Sequence, residues 1–184
     1  MGRDPTDDRL LVERTRGGDR EAFRLLVERY QRRVFALLYG ILRDAHEVED
    51  VAQEVFLKVY TRIHAFDGQS RFYTWLYRVA VNQAKDHLKK LRRRPAVALD
   101  ESEPPPDTAA GPPQRAQVAE LRRRVRSAIA GLPERYRTVL ALREPEGLAY
   151  REIAGVLEVS LGTVESRLHR ARAMLKRRLE SHVQ

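Results

Sequence analysis

The sequence predicts an all-α protein: two small helical domains joined by a flexible, acidic, proline-rich linker. Three observations carry that prediction. Apolar residues recur at helical spacing over long stretches, which is the mark of amphipathic helices. No stretch alternates apolar and polar residues at the β period, and no hairpin signal such as Asn-Gly occurs. Residues 95–114, PAVALDESEPPPDTAAGPPQ, hold six of the nine prolines and four acids but no base. Proline blocks helix and sheet, and nothing in that segment builds a core. The length of 184 residues suits one ordinary domain or two small ones. With 42% hydrophobic and 33% charged residues, the chain has enough apolar matter to fold.

The elements follow in order. A short leading helix is expected over 7–16. Asp19 can cap a long helix over 20–43, whose core stripe is Phe23, Leu26, Val27, Tyr30, Val34, Leu37, Leu38 and Ile41. Asp44 can cap the next, over 45–63. A loop follows around Asp67, Gly68, Gln69 and Ser70. A fourth helix over 71–93 ends before Pro95, because the residue before proline disfavours helical backbone. Beyond the linker, a helix over 117–129 is broken by Gly131, Leu132 and Pro133. Pro133 suits a helix start, and the next helix runs to about Arg143. A turn over 144–147, a short helix over 150–157 and a tight turn over 158–160 come next. Ser160 then caps a last helix over 161–179.

Charge narrows the function classes. Lys and Arg number 35 against 26 Asp and Glu, a formal charge of +9. Residues 1–94 carry +6, residues 115–184 carry +7 and the linker −4. Two basic modules flanking an acidic tether point to a polyanion such as nucleic acid, although arginine richness also follows from genome base composition. The absence of cysteine excludes disulfides and thiolate metal sites. No apolar run approaches the ~18 residues of a membrane span. Residues 1–18 alternate charges and have no signal-peptide core, so a soluble cytoplasmic protein without membrane insertion is expected.

The run from Tyr150 to Arg172 has helix-turn-helix form. Ile153, Ala154 and Leu157 line the inner face of its first helix. Val164, Leu168, Ala171, Leu175 and Leu179 form one stripe on its second. The other face offers Thr163, Glu165, Ser166, Arg167, His169 and Arg170. Such a face can enter a major groove, where arginine pairs with guanine and a carboxylate accepts from a cytosine amino group. A plain helical hairpin with a solvated face has the same spacing.

The stretch from Phe66 to Lys85 is the densest in the chain. It holds Phe66, Phe72, Tyr73, Trp75 and Tyr77, with Arg71, Arg78 and Lys85 between them. Aromatic faces stack unpaired bases while cations track phosphates, so the set suits single-stranded nucleic acid. Loop residues Gly68, Gln69 and Ser70 beside Asn82 can bond the edge of an extruded base. The bland alternative is that Phe72, Trp75, Leu76 and Val79 simply pack the core.

The helix carrying Glu49 to Phe56 (EDVAQEVF) buries a valine stripe and turns Asp50, Gln53, Glu54 and Leu57 outward, with Tyr60 nearby. A leucine on an acidic face suggests a protein partner, although single exposed leucines are common.

Three motifs now stand in order: EDVAQEVF at 49–56, FYTWLYRVAVN at 72–82 and GTVESRLHRAR at 162–172. Together, around an acidic linker, they resemble the extracytoplasmic-function (group IV) sigma factors, the two-domain class of bacterial RNA polymerase sigma subunits. The resemblance covers about 19–94 and 115–180. It implies that residues 1–94 are sigma domain 2 and residues 115–184 sigma domain 4. Domain 2 would bind the β′ clamp helices of polymerase core through Asp50, Gln53, Glu54 and Leu57. Its loop and the helix through Asn82 would capture and melt the minus-ten element, with one non-template base in a pocket. Domain 4 would dock on the β flap and read the duplex minus-thirty-five element from Thr163 onward, with Arg143, Tyr150 and Arg151 supporting phosphate contacts. The linker would thread through the polymerase. An anti-sigma factor is a further implied partner, and no cofactor is implied. Glu165 and His169 depart from common family residues, so the recognised sequence does not transfer.

Two alternatives come from other classes. One is a free-standing helix-turn-helix repressor or activator, against which the acidic Leu57 face and the aromatic set argue. The other is a nucleic-acid enzyme holding metal on Glu49, Asp50 and Glu54. The five histidines are scattered and none joins those acids at ligand spacing.

Overall fold

The computed structural model of the chain describes residues 5–42, 44–93, 113–145 and 147–180. Eight α-helices run through these residues, and no strand occurs among them. They are α1 Pro5–Arg16, α2 Arg20–Leu42, α3 Ala45–Thr61, α4 Phe72–Arg93, α5 Pro113–Ala130, α6 Glu134–Arg143, α7 Tyr150–Leu157 and α8 Leu161–Glu180. A single 3-10 turn, Ile63–Ala65, follows α3. The expected linker lies outside the described residues except at its end. There α5 begins at Pro113, earlier than expected, because proline is tolerated in the first turn of a helix.

Local chemistry sets the helix ends. Gly18 takes φ +88°, a left-handed backbone that favours glycine, and ends α1 in a Schellman turn. The Gly18 N–H bonds Thr15 O at 3.0 Å and the Asp19 N–H bonds Arg14 O at 3.0 Å. Asp19 Oδ1 then accepts from the N–H groups of Glu21 (2.9 Å) and Ala22 (3.1 Å), capping α2 one residue later. The Ala22 N–H, followed by the Arg14 side chain, holds the Asp19 carboxyl below its ordinary pKa. Asp44 caps α3 through the N–H groups of His46 (2.8 Å) and Glu47 (3.4 Å). Ser160 Oγ accepts from the Thr163 N–H at 3.2 Å and starts α8.

Packing follows the apolar stripes. In α2 the residues Ala22, Leu26, Tyr30, Val34, Leu37, Leu38, Ile41 and Leu42 are buried. Phe23 is only partly buried and packs on Tyr60, with ring centroids 4.8 Å apart. α3 buries Val48, Val51, Ala52, Val55 and Val59 against α2 and α4. In the second half, α7 buries Ile153 and Val156, and α8 buries Val164, Leu168 and Ala171. Ala154 and Leu157 are partly buried rather than central, because α7 packs against both α8 and α4. Leu175 and Leu179 leave the expected core stripe half-open.

α6 is buried on every side from Tyr136 to Leu142. It lies between α8 and α2, so it ties the two halves of the chain together. The approach to α2 is close: a Cβ at Gly40 would stand 2.7 Å from the Ala141 Cβ. Only glycine admits that distance. One hydrophobic cluster therefore runs from Leu11 of α1 to Ala171 of α8.

Candidate nucleic-acid interface

The loop between the 3-10 turn and α4 is built by neighbours on both sides. Arg16 of α1 donates to Phe66 O, and to Ile63 O at 3.3 Å, anchoring the loop's start. Asp67 Oδ1 accepts from the Gln69 N–H at 3.0 Å, closing an Asx turn in which Gly68 takes φ +74°. Gly68, Gln69 and Arg71 are exposed and Ser70 is half-buried.

Phe66 and Phe72 are buried and meet edge-on at 5.7 Å. Trp75 lies 5.5 Å from Phe66 and stays half-exposed. The two phenylalanines thus support the loop from beneath, while the indole reaches the surface. Tyr77 belongs to the core entirely.

Along α4 the buried positions are Phe72, Tyr73, Thr74, Leu76, Tyr77, Ala80, Val81 and Ala84. The remaining face carries Arg71, Trp75, Arg78, Asn82 and Lys85, three or four residues apart. Helical spacing therefore places three cations, an indole and an amide in one band that starts at the loop. That band is the arrangement that tracks a phosphate backbone while offering a stacking face and a base-edge partner.

A cleft of about 1020 Å³ opens beside the loop. Asp8, Arg16 and Arg33 line one side, residues 66–73 the floor, and Gly147, Leu148 and Glu152 the other side. Arg16, Arg33 and Glu152 were not among the expected site residues. Charged residues on amphipathic helices read as solvated, so nothing in the sequence marks them.

Glu152 is central to the second side. Its Oε2 accepts from the Ala149 N–H at 2.8 Å, half of a capping box, since alanine has no oxygen to return the bond. Its Oε1 accepts from the Tyr73 hydroxyl and lies 3.9 Å from Arg71 Nη1. Burial, followed by that bond, pushes the Tyr73 hydroxyl above its ordinary pKa.

In the helix-turn-helix, Arg151, Glu165, Ser166, His169 and Arg170 are exposed, and Tyr150, Thr163 and Arg167 half-buried. Arg143 braces the turn before α7: its Nη1 donates to Leu148 O at 2.7 Å, and its guanidinium lies 5.3 Å from the Tyr150 ring centroid. Arg135 Nη2 donates to the Tyr136 hydroxyl at 3.3 Å, and Arg135, followed by Arg170, holds that hydroxyl below its ordinary pKa.

On the outer face of α3, Asp50, Gln53, Glu54 and Leu57 are all exposed, Leu57 by 65%. Glu54 accepts from Gln83, whose Oε1 accepts from Lys58 Nζ at 2.9 Å. Among the described residues, no three His, Asp or Glu side chains gather as a metal site, and no helix is long and apolar enough to cross a membrane.

Residues 26–94 match the family model for sigma-70 region 2, and residues 122–175 that for sigma-70 region 4. The chain is 44% identical to the RNA polymerase sigma-H factor of Pseudomonas aeruginosa, over 94% of each chain. It belongs to the extracytoplasmic-function sigma factors. The sigma-E factor of that class from Haemophilus influenzae is 41% identical, over 94% of this chain and 95% of the relative. Among solved structures, CnrH in complex with the cytosolic domain of CnrY superposes with a TM-score of 0.72 at 28% identity, covering 95% of this chain and 98% of that one. The sigma factor RpoE in complex with the anti-sigma factor NepR from Bartonella quintana gives 0.68 at 18% identity, covering 86% and 96%, and shares the fold. The three motifs read from the sequence all fall inside the matched regions, and the helical fold class stands.

Proposed function

We propose that this sigma factor joins RNA polymerase core in the cytoplasm and directs initiation at promoters that it selects through two separate readers. Residues 1–94 form the unit that holds core polymerase and captures the minus-ten strand. Residues 115–184 form the unit that reads the minus-thirty-five duplex, and residues 95–114 tether them. The α4 band carries the reading: Arg71, Trp75, Arg78, Asn82 and Lys85 share one face beside a preformed loop. Duplex reading alone needs no such band; a melted strand does. The protein supplies binding energy and base capture, and the polymerase does the chemistry.

Two surfaces suit the polymerase. The acidic α3 face, with exposed Leu57 at its C-terminal end, fits a basic, leucine-accepting helix pair, assigned to the β′ clamp helices. On α8, Leu175 and Leu179 line an open apolar groove with Arg172, Lys176 and Glu180. α5, which packs on α8, exposes Val118 and Leu121. Together they offer an apolar site for the β flap. An anti-sigma factor is a partner by the same family argument.

Run-off transcription tests the proposal. The purified chain is mixed with bacterial core polymerase and promoter fragments of varied sequence. Initiation that requires this chain supports the reading. Tight binding to duplex DNA without polymerase, and no initiation with it, would move the protein to the repressor class.

A further inference from the structure

The acidic face of α3 takes one side chain from α4. Glu54 and Lys58 stand four residues apart on α3, with the carboxylate on the N-terminal side. That spacing and order favour a direct ion pair on a helix surface. Among the described residues no such pair forms between them. Gln83 of α4 stands between the two instead. Its Nε2 donates to Glu54 Oε2, and its Oε1 accepts from Lys58 Nζ at 2.9 Å.

The chemistry of position 83 suits this place. An amide carries a donor and an acceptor on one planar group. A carboxylate there would repel Glu54, an ammonium would repel Lys58, and an apolar side chain would bond neither. Gln83 follows Asn82 in sequence, but a helix turns by about 100° per residue. Asn82 is therefore exposed on the strand-reading band while Gln83 is half-buried against α3. Direct pairing would draw the Glu54 carboxylate onto Lys58 and cancel its charge beside Asp50. The neutral amide cancels nothing. Glu54 stays exposed, and its Oε1 takes no partner among the described residues. A basic partner then meets a carboxylate that is already oriented, which lowers the ordering cost of association.

We propose that Gln83 is a positioning residue for polymerase binding: it holds Lys58 off Glu54, so that the Glu54 carboxylate stays turned toward core polymerase. This rests on the assignment of the α3 face to core. Gln83 acts through Glu54 and need not touch the polymerase itself. The helix that reads the melted strand thus also sets the charge of the surface that holds the enzyme.

The test measures the affinity of the full chain, labelled with fluorescein at its N-terminus, for bacterial core polymerase by anisotropy. Gln83→Met keeps the length and packing of the side chain and loses both hydrogen bonds. Gln83→Ala loses the bonds and the bulk. Circular dichroism checks that helix content is kept. Both variants should bind core about fivefold more weakly. A loss with alanine but not with methionine would overturn the proposal, because packing and not the amide then matters. Unchanged affinity in both would overturn it as well. A double-mutant cycle shows whether the effect runs through Glu54. In a Glu54→Ala chain, Gln83→Met should cost no further affinity. In a Lys58→Met chain, where no ammonium competes for the carboxylate, it should cost almost none. The full loss persisting in both backgrounds would mean that Gln83 acts by another route, and the proposal fails while the α3 assignment stands. If Glu54→Ala alone leaves core affinity unchanged, Glu54 is not part of the polymerase face, and that assignment fails and takes the proposal with it.

Discussion

Asn82 and Leu57 are the residues on which the functional reading is sharpest. Asn82 is exposed on the α4 band. Asn82→Ala should leave core binding and folding intact while weakening transcription by about 1 kcal/mol of lost hydrogen bonding. Parallel core-binding and transcription assays check this, and equal losses in both would make Asn82 structural. Leu57 makes the opposite split. Leu57→Asp replaces the exposed apolar side chain of the α3 face with a carboxylate and should cost at least about 2 kcal/mol of core affinity. Its helix content should be unchanged, because the side chain is already in solvent; normal core affinity would remove this interface. Trp75 shows how far residue types alone can be read. The sequence offered five aromatics as stacking faces, yet Phe66, Phe72, Tyr73 and Tyr77 are buried and only the indole keeps substantial exposure. Residue type cannot say which ring faces inward; the burial of its neighbours decides.

The helices are where the sequence is most legible, and the reason is local chemistry. Asp19, Asp44 and Ser160 each precede an apolar-periodic run, and each accepts the backbone bonds expected of a cap. Asp44→Ala should therefore destabilise the fold by about 1 kcal/mol, read as a lower midpoint in urea with an unchanged slope. Asp19 adds a pH dependence. Its folded carboxyl sits below the ordinary value of 3.8, so its contribution is present above the unfolded value and lost as pH falls through the folded one. Asp19→Asn keeps an acceptor for the cap and should flatten the acid limb of a stability-versus-pH curve; an unchanged limb would contradict this. What the sequence hides at this scale is which partner covers a helix. α6 is buried from Tyr136 to Leu142 because α8 and α2 flank it, and apolar periodicity carries no label for either neighbour. The end of α7 falls where the sequence puts it, after residue 157, but the backbone of its cap was hidden. Glu158 holds left-handed backbone at φ 54°, ψ 45°, where glycine is the usual residue, and its side chain meets Arg78.

At the scale of the whole molecule, the proposed function has two modest readers acting through one chain. The fold class and motif order were visible because helical period and motif spacing are sequence properties. The contact between the halves was not, because Gly40, Glu152 and Glu158 acquire meaning only beside Ala141, Tyr73 and Arg78. Tethering two weak sites on one polymerase raises their effective concentration, so each need bind DNA only loosely. The distance between the two DNA elements then becomes part of recognition. The most direct measurement is run-off transcription with core polymerase on a promoter selected by this chain, with the spacer between the two elements lengthened and shortened base pair by base pair. The account predicts initiation that requires the chain and falls away on both sides of one optimal spacing. Initiation indifferent to spacing, or undiminished when the minus-thirty-five element is scrambled, would contradict two readers held on one polymerase.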